Sequence, residues 1–152
     1  MKDPNKIGVT VDIFDSRIIR ALFENARQSN KALSRQVGLS APSCSDRLKR
    51  LERWGVIRGY RVELNPEALG YALSTLIRIK ALPGQLQQVE HWLLARAEVI
   101  SYYKVTGDDD FIGVAYVNTV AQLDQLLESL ASIASTHTSL IKAMHSKLPS
   151  ME

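Results

Sequence analysis

The chain has 152 residues, enough for one ordinary domain or two small ones, and 45% apolar with 23% charged residues is a composition that can bury a core. No run of about 18 apolar residues occurs, so no membrane span is expected. The net charge of +3 conceals a division: residues 1–65 carry 13 Lys/Arg against 7 Asp/Glu (net +6), and residues 66–152 carry 6 against 9 (net −3).

A basic front and an acidic rear suggest two modules with different partners, the front one suited to a polyanion. The opening MKDPNKIGVTVD holds acids and no apolar stretch, so it is not expected to act as a secretory signal. Cys44 is the single cysteine and cannot make an internal disulfide or a zinc site alone. His91, His137 and His145 are scattered without metal-ligand spacing. No metal, cofactor or catalytic group is therefore expected, and a reducing, cytoplasmic location fits.

The first ten residues lack periodicity and are expected to fray. From Asp12, Phe14, Ile18 and Leu22 recur every four residues with Ile19 and Phe23 beside them, one apolar stripe of a helix. Asp12 is placed to cap it, and Asp15 adds an acid in the first turn, where the helix dipole favours one. A second helix fits Asn30 to Val37, capped by Ser29, with Leu33 and Val37 inward and Gly38 suited to the left-handed residue after it. Ser40 is placed to cap a third helix from Ala41 to Trp54, with Pro42 in its first turn and Cys44, Leu48 and Leu51 as its buried stripe. VIRGYRVEL (56–64) is rich in β-branched residues and reads as a strand or short hairpin. Asn65-Pro66 ends it.

The rear half alternates periods. Tyr71, Leu73, Thr75, Ile77, Ile79 and Ala81 share one strand face, with Arg78 and Lys80 on the other. Leu86, Val89, Leu93 and Ala97 give a helix. Val99–Val105 and Phe111–Val117 read as strands joined by the turn Gly107-Asp108-Asp109-Asp110. Val120, Leu123, Leu127, Leu130 and Ala134 give a second helix, and Thr138–Leu148 a last strand. The fold class is thus α+β: a winged helix-turn-helix over residues 1–64, then a ferredoxin-like βαββαβ domain over 65–152.

Three short helices with a Gly-Leu-Ser turn before the last describe a helix-turn-helix, whose third helix lies in the DNA major groove. With Cys44 at the centre of the buried side, 100° per residue turns Pro42, Asp46, Lys49 and Arg53 outward, with Ser43 and Arg50 on one shoulder and Arg47 at the edge. Ser40 and Ser43 sit by the helix N-terminus, whose free N–H groups suit a phosphate. Arg58 and Arg61 extend the contact along the backbone. Asp46 fits either screening of Arg50 one turn on or a hydrogen bond from a cytosine amine. Cys44 reads as a buried small hydrophobe, Trp92 as core or interface, and Tyr102 and Tyr103 as sheet packing.

Asp12-Ile-Phe-Asp15 with Ile18, Ile19 and Leu22, then LSRQVGLSAPSCSDRLKRLERWGVIRGYRVELNP (33–66), resembles the leucine-responsive and asparagine-responsive (Lrp/AsnC) regulators, and YYKVTGDDDFIGVAYV is similar to their effector domain. The resemblance spans about residues 11 to 148. It implies a DNA-binding transcription regulator with Arg47 and Arg50 as basic residues of the recognition helix. It also implies dimers through the rear sheet, assembling further into tetramers or octamers. The turn 107–110 would border an amino-acid effector pocket, with backbone N–H groups near Gly107 holding the carboxylate and Asp108 or Asp110 the ammonium. Thr136 and Thr138 would add hydroxyl contacts. Asp109 stands where relatives commonly carry a larger or aromatic residue.

The turn also admits plainer readings: Gly and Asp are ordinary hairpin residues, and three acids can hold a small cation. Apolar residues on both faces of the strands independently predict self-association, since a sheet covered on one side must bury the other or keep it polar. Two other functions are compatible with the fold: a siroheme-decarboxylase-like enzyme, which would need histidines near a tetrapyrrole, and an effector-independent protein that organises DNA by wrapping it.

Overall fold

We describe residues 9–151 in a computed structural model; most of the segment expected to fray lies outside them. Asp12 and Asp15 start the first helix, α1 (Ile13–Glu24), as a reciprocal cap. Asp12 Oδ1 accepts from the N–H groups of Phe14 and Asp15, each at 2.9 Å, and Asp15 Oδ2 accepts from the N–H of Asp12 at 3.2 Å. Ser29 caps α2 (Asn30–Val37), and Ser40 caps α3 (Ala41–Arg53). Between them Gly38 takes φ +77°, the left-handed turn that lets α3 leave at an angle. Ile18, Ala21, Leu33, Val37, Cys44 and Leu51 form the core of this unit, with Ile19, Leu22, Leu39, Leu48 and Ile57 packed around it.

The stripe of α1 is rotated from expectation. Its buried residues are Asp15, Ile18 and Ala21, whereas Phe14 is half-buried and Phe23 is 50% exposed. A carboxylate occupies the place an apolar side chain was expected to fill. The expected strand or hairpin at 56–64 does not form a ladder. The N–H groups of Val56 and Ile57 both donate to Leu51 O, and the chain beyond pairs with no strand. Among the described residues the helical unit has no strand to offer it, and Val62 stays 81% exposed.

The second unit, Glu63–His145, holds β1 (Leu73–Ala81), α4 (Leu86–Ala95), β2 (Val99–Lys104), β3 (Phe111–Val117), α5 (Val120–Glu128) and β4 (Ala134–Leu140). The sheet is antiparallel in the order β2-β3-β1-β4, the βαββαβ arrangement expected. Ile77, Ile79, Phe111, Ala115, Val117 and Ala134 face the helices and meet Val89, Trp92, Leu93, Leu123, Leu126 and Leu130. Trp92 is core, and its Nε1 donates to Ser129 Oγ at 2.9 Å. Tyr102 packs edge-on against Phe111, with ring centroids 6.0 Å apart, while Tyr103 is 66% exposed.

Four boundaries differ from the sequence reading. Tyr71 precedes β1 and stacks on Tyr116, which pairs with Ser74 on the other face of the sheet. α4 ends at Ala95, leaving Ala97 exposed. α5 ends at Glu128, not at Ala134, because Ser129 turns its hydroxyl back to Leu126 O at 2.7 Å. Leu130 is nonetheless fully buried, so a turn that re-enters the core keeps the helical period. β4 therefore begins at Ala134 and stops at Leu140, eight residues before the expected end. From Ser146 onward the chain groups with the helical unit. There Leu148, Pro149 and Met151 line an apolar groove of about 570 Å³ with Val9, Val11, Ile19 and Val56.

The two cores share no residue, and each unit owns one tryptophan, Trp54 or Trp92. Leu51→Ala empties a fully buried site and should cost about 2–5 kcal/mol. Denaturant unfolding of single-tryptophan variants checks this. The Trp54 transition should move to lower denaturant and the Trp92 transition should stay in place.

Candidate nucleic-acid interface and effector turn

Local bonds set the pose of α3. Ser40 Oγ accepts from Ser43 N–H at 3.3 Å, and Asn30 Nδ2 donates to Ala41 O at 2.9 Å, tying the start of α2 to the first turn of α3. Cys44 is fully buried, and burial raises its thiol pKa, which leaves it the inert hydrophobe expected. Pro42, Asp46, Lys49 and Arg53 are exposed, as helical geometry predicts, and Ser43 is half-buried.

Arg47 and Arg50 lie differently. Both are turned onto α1, where Asp15 is fully buried. Arg47 Nη1 donates to Asp12 Oδ2 and to Asp15 Oδ1 at 3.0 Å. Arg50 Nη2 reaches both oxygens of Asp15, at 3.0 and 2.8 Å. Arg47 also lies over the Phe14 ring at 5.3 Å, and Arg50 over Trp54 at 4.7 Å. The hydrogen bond from Arg47 is the main reason the Asp12 carboxyl is held below its ordinary range, and Asp12 in turn raises Arg47. Asp46 makes no ion pair with Arg50 among the described residues, so the expected screening is not seen. Sequence reasoning missed this clamp. Its signal was present: two acids three apart on one helix, and two arginines three apart on another, each pair presenting one face.

The segment after α3 carries Arg58 and Arg61, both exposed. Tyr60 Oη donates to Glu52 Oε1 at 2.8 Å, and partial burial with that carboxylate beside it pushes the phenol up to about 12.

In the sheet unit the three acids of the turn do not converge on one point. Arg78 Nε donates to Asp109 Oδ2 at 2.7 Å and Lys80 Nζ to Asp110 Oδ1 at 3.3 Å. Asp110 Oδ2 also accepts from Ala81 N–H at 3.0 Å, and Asp110 N–H donates to Ile79 O at 2.9 Å. Asp110 thus fastens the turn to the end of β1. Gly107 and Asp108 are exposed, with Gly107 at φ +111°. Thr136 pairs with Ile79, which puts it in one row with Phe111, the residue after Asp110, while Thr138 pairs with Ile77 two residues further along. The Thr138 hydroxyl is buried without a hydrogen-bond partner. No helix among the described residues is long and apolar enough to cross a membrane.

A helix-turn-helix joined to a βαββαβ unit defines a two-module regulator, and the comparisons agree on both parts. Residues 11–58 match the winged helix-turn-helix DNA-binding model, and residues 74–149 match the Lrp/AsnC ligand binding domain. The chain is 31% identical over 140 residues to the HTH-type transcriptional regulator FL11 of Pyrococcus abyssi, covering 90% of this chain and 93% of that one. It is 36% identical over 129 residues to the leucine-responsive regulatory protein of Haemophilus influenzae, covering 83% and 78%. Among solved structures, the Neisseria meningitidis transcriptional regulator NMB0573, crystallised as an L-Met complex, superposes with TM-score 0.83 at 29% identity, covering 92% and 97%. The chain belongs to the Lrp/AsnC family and is a DNA-binding transcriptional regulator.

Two outcomes follow from the clamp. Asp15→Ala leaves two arginines facing a vacated site, and because both are partly solvated the cost should be about 2–3 kcal/mol, below that of breaking a fully buried pair. Thermal unfolding followed through Trp54 reads it. The folded-state pKa of Asp12 is depressed, so its contribution is present above the unfolded value of about 3.9 and is lost as pH falls through the lowered one. Acid titration of helical circular dichroism should show that loss in the parent chain and a smaller one in Asp12→Asn. Identical acid curves would count against the pairing.

Proposed function

We propose that the chain reads duplex DNA with the outward face of α3 and does so as a symmetric dimer controlled by an amino acid. The observation that carries the first part is the division of labour on α3. Pro42, Asp46, Lys49 and Arg53 are exposed along one face, whereas Arg47 and Arg50 are spent on α1. Lys49 and Arg53 then supply charge to the groove. Ser40 and Ser43 present the helix N-terminus to a phosphate, and Asp46 meets a base edge. Arg47 and Arg50 orient the helix rather than touch DNA.

The dimer reading is supported by the open face of the sheet. Leu76, Ile112, Val114 and Tyr116 form an apolar patch there, opposite the helices. Arg78 and Lys80 border it, and Asp109 and Asp110 neutralise them within the same chain. A second copy can cover that face without stranding a charge. Two reading heads related by two-fold symmetry fit two half-sites, and further assembly into tetramers or octamers is compatible with the exposed edge strands.

For the effector, the L-methionine bound by the Neisseria relative makes an amino acid the ligand class to test. Asp110 is already committed to Ala81 and Lys80, so Asp108 is the acid left to meet an ammonium group. Backbone N–H groups about Gly107, which have no hydrogen-bond partner among the described residues, suit the carboxylate, with Thr136 and Thr138 on β4 beyond β1. This role is one of binding, and it fits a cytoplasmic location.

Binding to a random-sequence duplex by fluorescence anisotropy tests the DNA reading. Affinity should fall steeply with salt, and Arg53→Ala or Lys49→Ala should lower the log–log slope by about 0.9 for each phosphate contact removed. Unchanged affinity and slope in both variants would overturn the assignment. A thermal-shift screen of the twenty amino acids tests the effector, because a ligand at 100 times its Kd stabilises the native state by about 2.7 kcal/mol. A flat screen would favour an effector-independent organiser of DNA.

A further inference from the structure

Residues 55–62 leave the end of α3 and make no strand, yet they carry Arg58 and Arg61. Among the described residues, neither arginine forms an ion pair and both are exposed. The backbone holds the first part of the segment, through the N–H groups of Val56 and Ile57 on Leu51 O at 3.0 and 3.2 Å. Beyond Ile57 the described side-chain hydrogen bond holding the segment is Tyr60 Oη to Glu52 Oε1 at 2.8 Å. Glu52 belongs to the last turn of α3. The segment is therefore folded back onto the helix by one bond, placed between its two arginines.

We infer that Tyr60 and Glu52 form a strut that positions Arg58 and Arg61 as a phosphate-gripping arm beside α3. The inference rests on the DNA reading above and adds two positioning residues to it. Three points support the strut. Without ladder hydrogen bonds the arm would sample many conformations, and each arginine would lose entropy on meeting a phosphate. The phenol keeps its proton at any working pH, so the donor is permanent. Glu52, whose bare carboxylate would repel DNA, is engaged by a donor instead. Tyr60 is 48% exposed and outside the core, so its main effect is on where the arm points, not on whether the unit folds.

The test uses the full chain and a random-sequence duplex of fixed length, with affinity measured across a salt series. Tyr60→Phe keeps the ring and removes the donor. Its log–log slope should fall by about 1 to 2 for each reading head, approaching the loss in Arg58→Ala/Arg61→Ala at about 0.9 for each phosphate. Combining all three changes should cost nothing beyond the double arginine variant, because the strut acts only through the arm. The melting temperature of Tyr60→Phe should stay within a few degrees of the parent. A parent-like slope in Tyr60→Phe overturns the inference, as does a further loss when Tyr60→Phe is added to the arginine double variant. If the parent itself shows no salt-dependent binding, the DNA reading fails first and takes the strut with it.

Discussion

A single buried carboxylate organises the helical unit. Asp15 receives four hydrogen-bond donations: from the Asp12 N–H, from Arg47, and from Arg50 at each of its two oxygens. A buried charge is expensive unless its hydrogen-bonding capacity is filled, and here it is filled by residues 32 and 35 positions further along the chain. Among the described residues the fully buried apolar core of the unit is six side chains, including an alanine and a cysteine. A core so small can be satisfied by several helix rotations, and the ion-pair network selects one of them. That selection sets which face of α3 stays exposed. Arg47 and Arg50 are engaged on α1, while Lys49 and Arg53 stay exposed on α3.

Charge compensation recurs in the sheet unit with a different outcome. Asp109 and Asp110 answer Arg78 and Lys80, and Asp110 adds a backbone bond to the end of β1. The β2–β3 turn is thereby pinned across the sheet to the strand that pairs with β4. Thr136 lies in the row of Ile79 and Phe111, next to the turn's last residue. A ligand seated at the turn would consequently act on a connected set of strands instead of on a loose loop. The three consecutive acids have separate assignments: Asp109 on a guanidinium, Asp110 on a backbone amide and an ammonium, and Asp108 exposed.

Much of this was legible in the residues. Caps at Asp12, Ser29 and Ser40 placed the three helix starts to within a residue, and Gly38 placed the end of α2, because cap chemistry is local. Phe111–Val117 was read to the residue, since the turn residues Asp110 and Asn118 flank it. The failures share a cause: each needed knowledge of what lay across the fold. The period of α5 ran on through Leu130 and Ala134 because a turn returned them to the same core. VIRGYRVEL looked like a strand and found no partner. The clamp of Arg47 and Arg50 on Asp15 was not legible, because the acid is more than thirty residues away and pairing at that range leaves no trace in local periodicity.

The division of α3 into an anchoring side and a reading side is the claim on which the functional account turns. It is tested most directly by NMR of the arginine guanidinium groups, recorded without and with saturating duplex DNA. The account predicts that the Arg47 and Arg50 resonances are protected from solvent exchange in the free protein and keep their shifts on binding, while Arg53 moves. Loss of protection and large shifts at Arg47 and Arg50 on adding DNA would show that these side chains leave Asp15 for the duplex, and would contradict it.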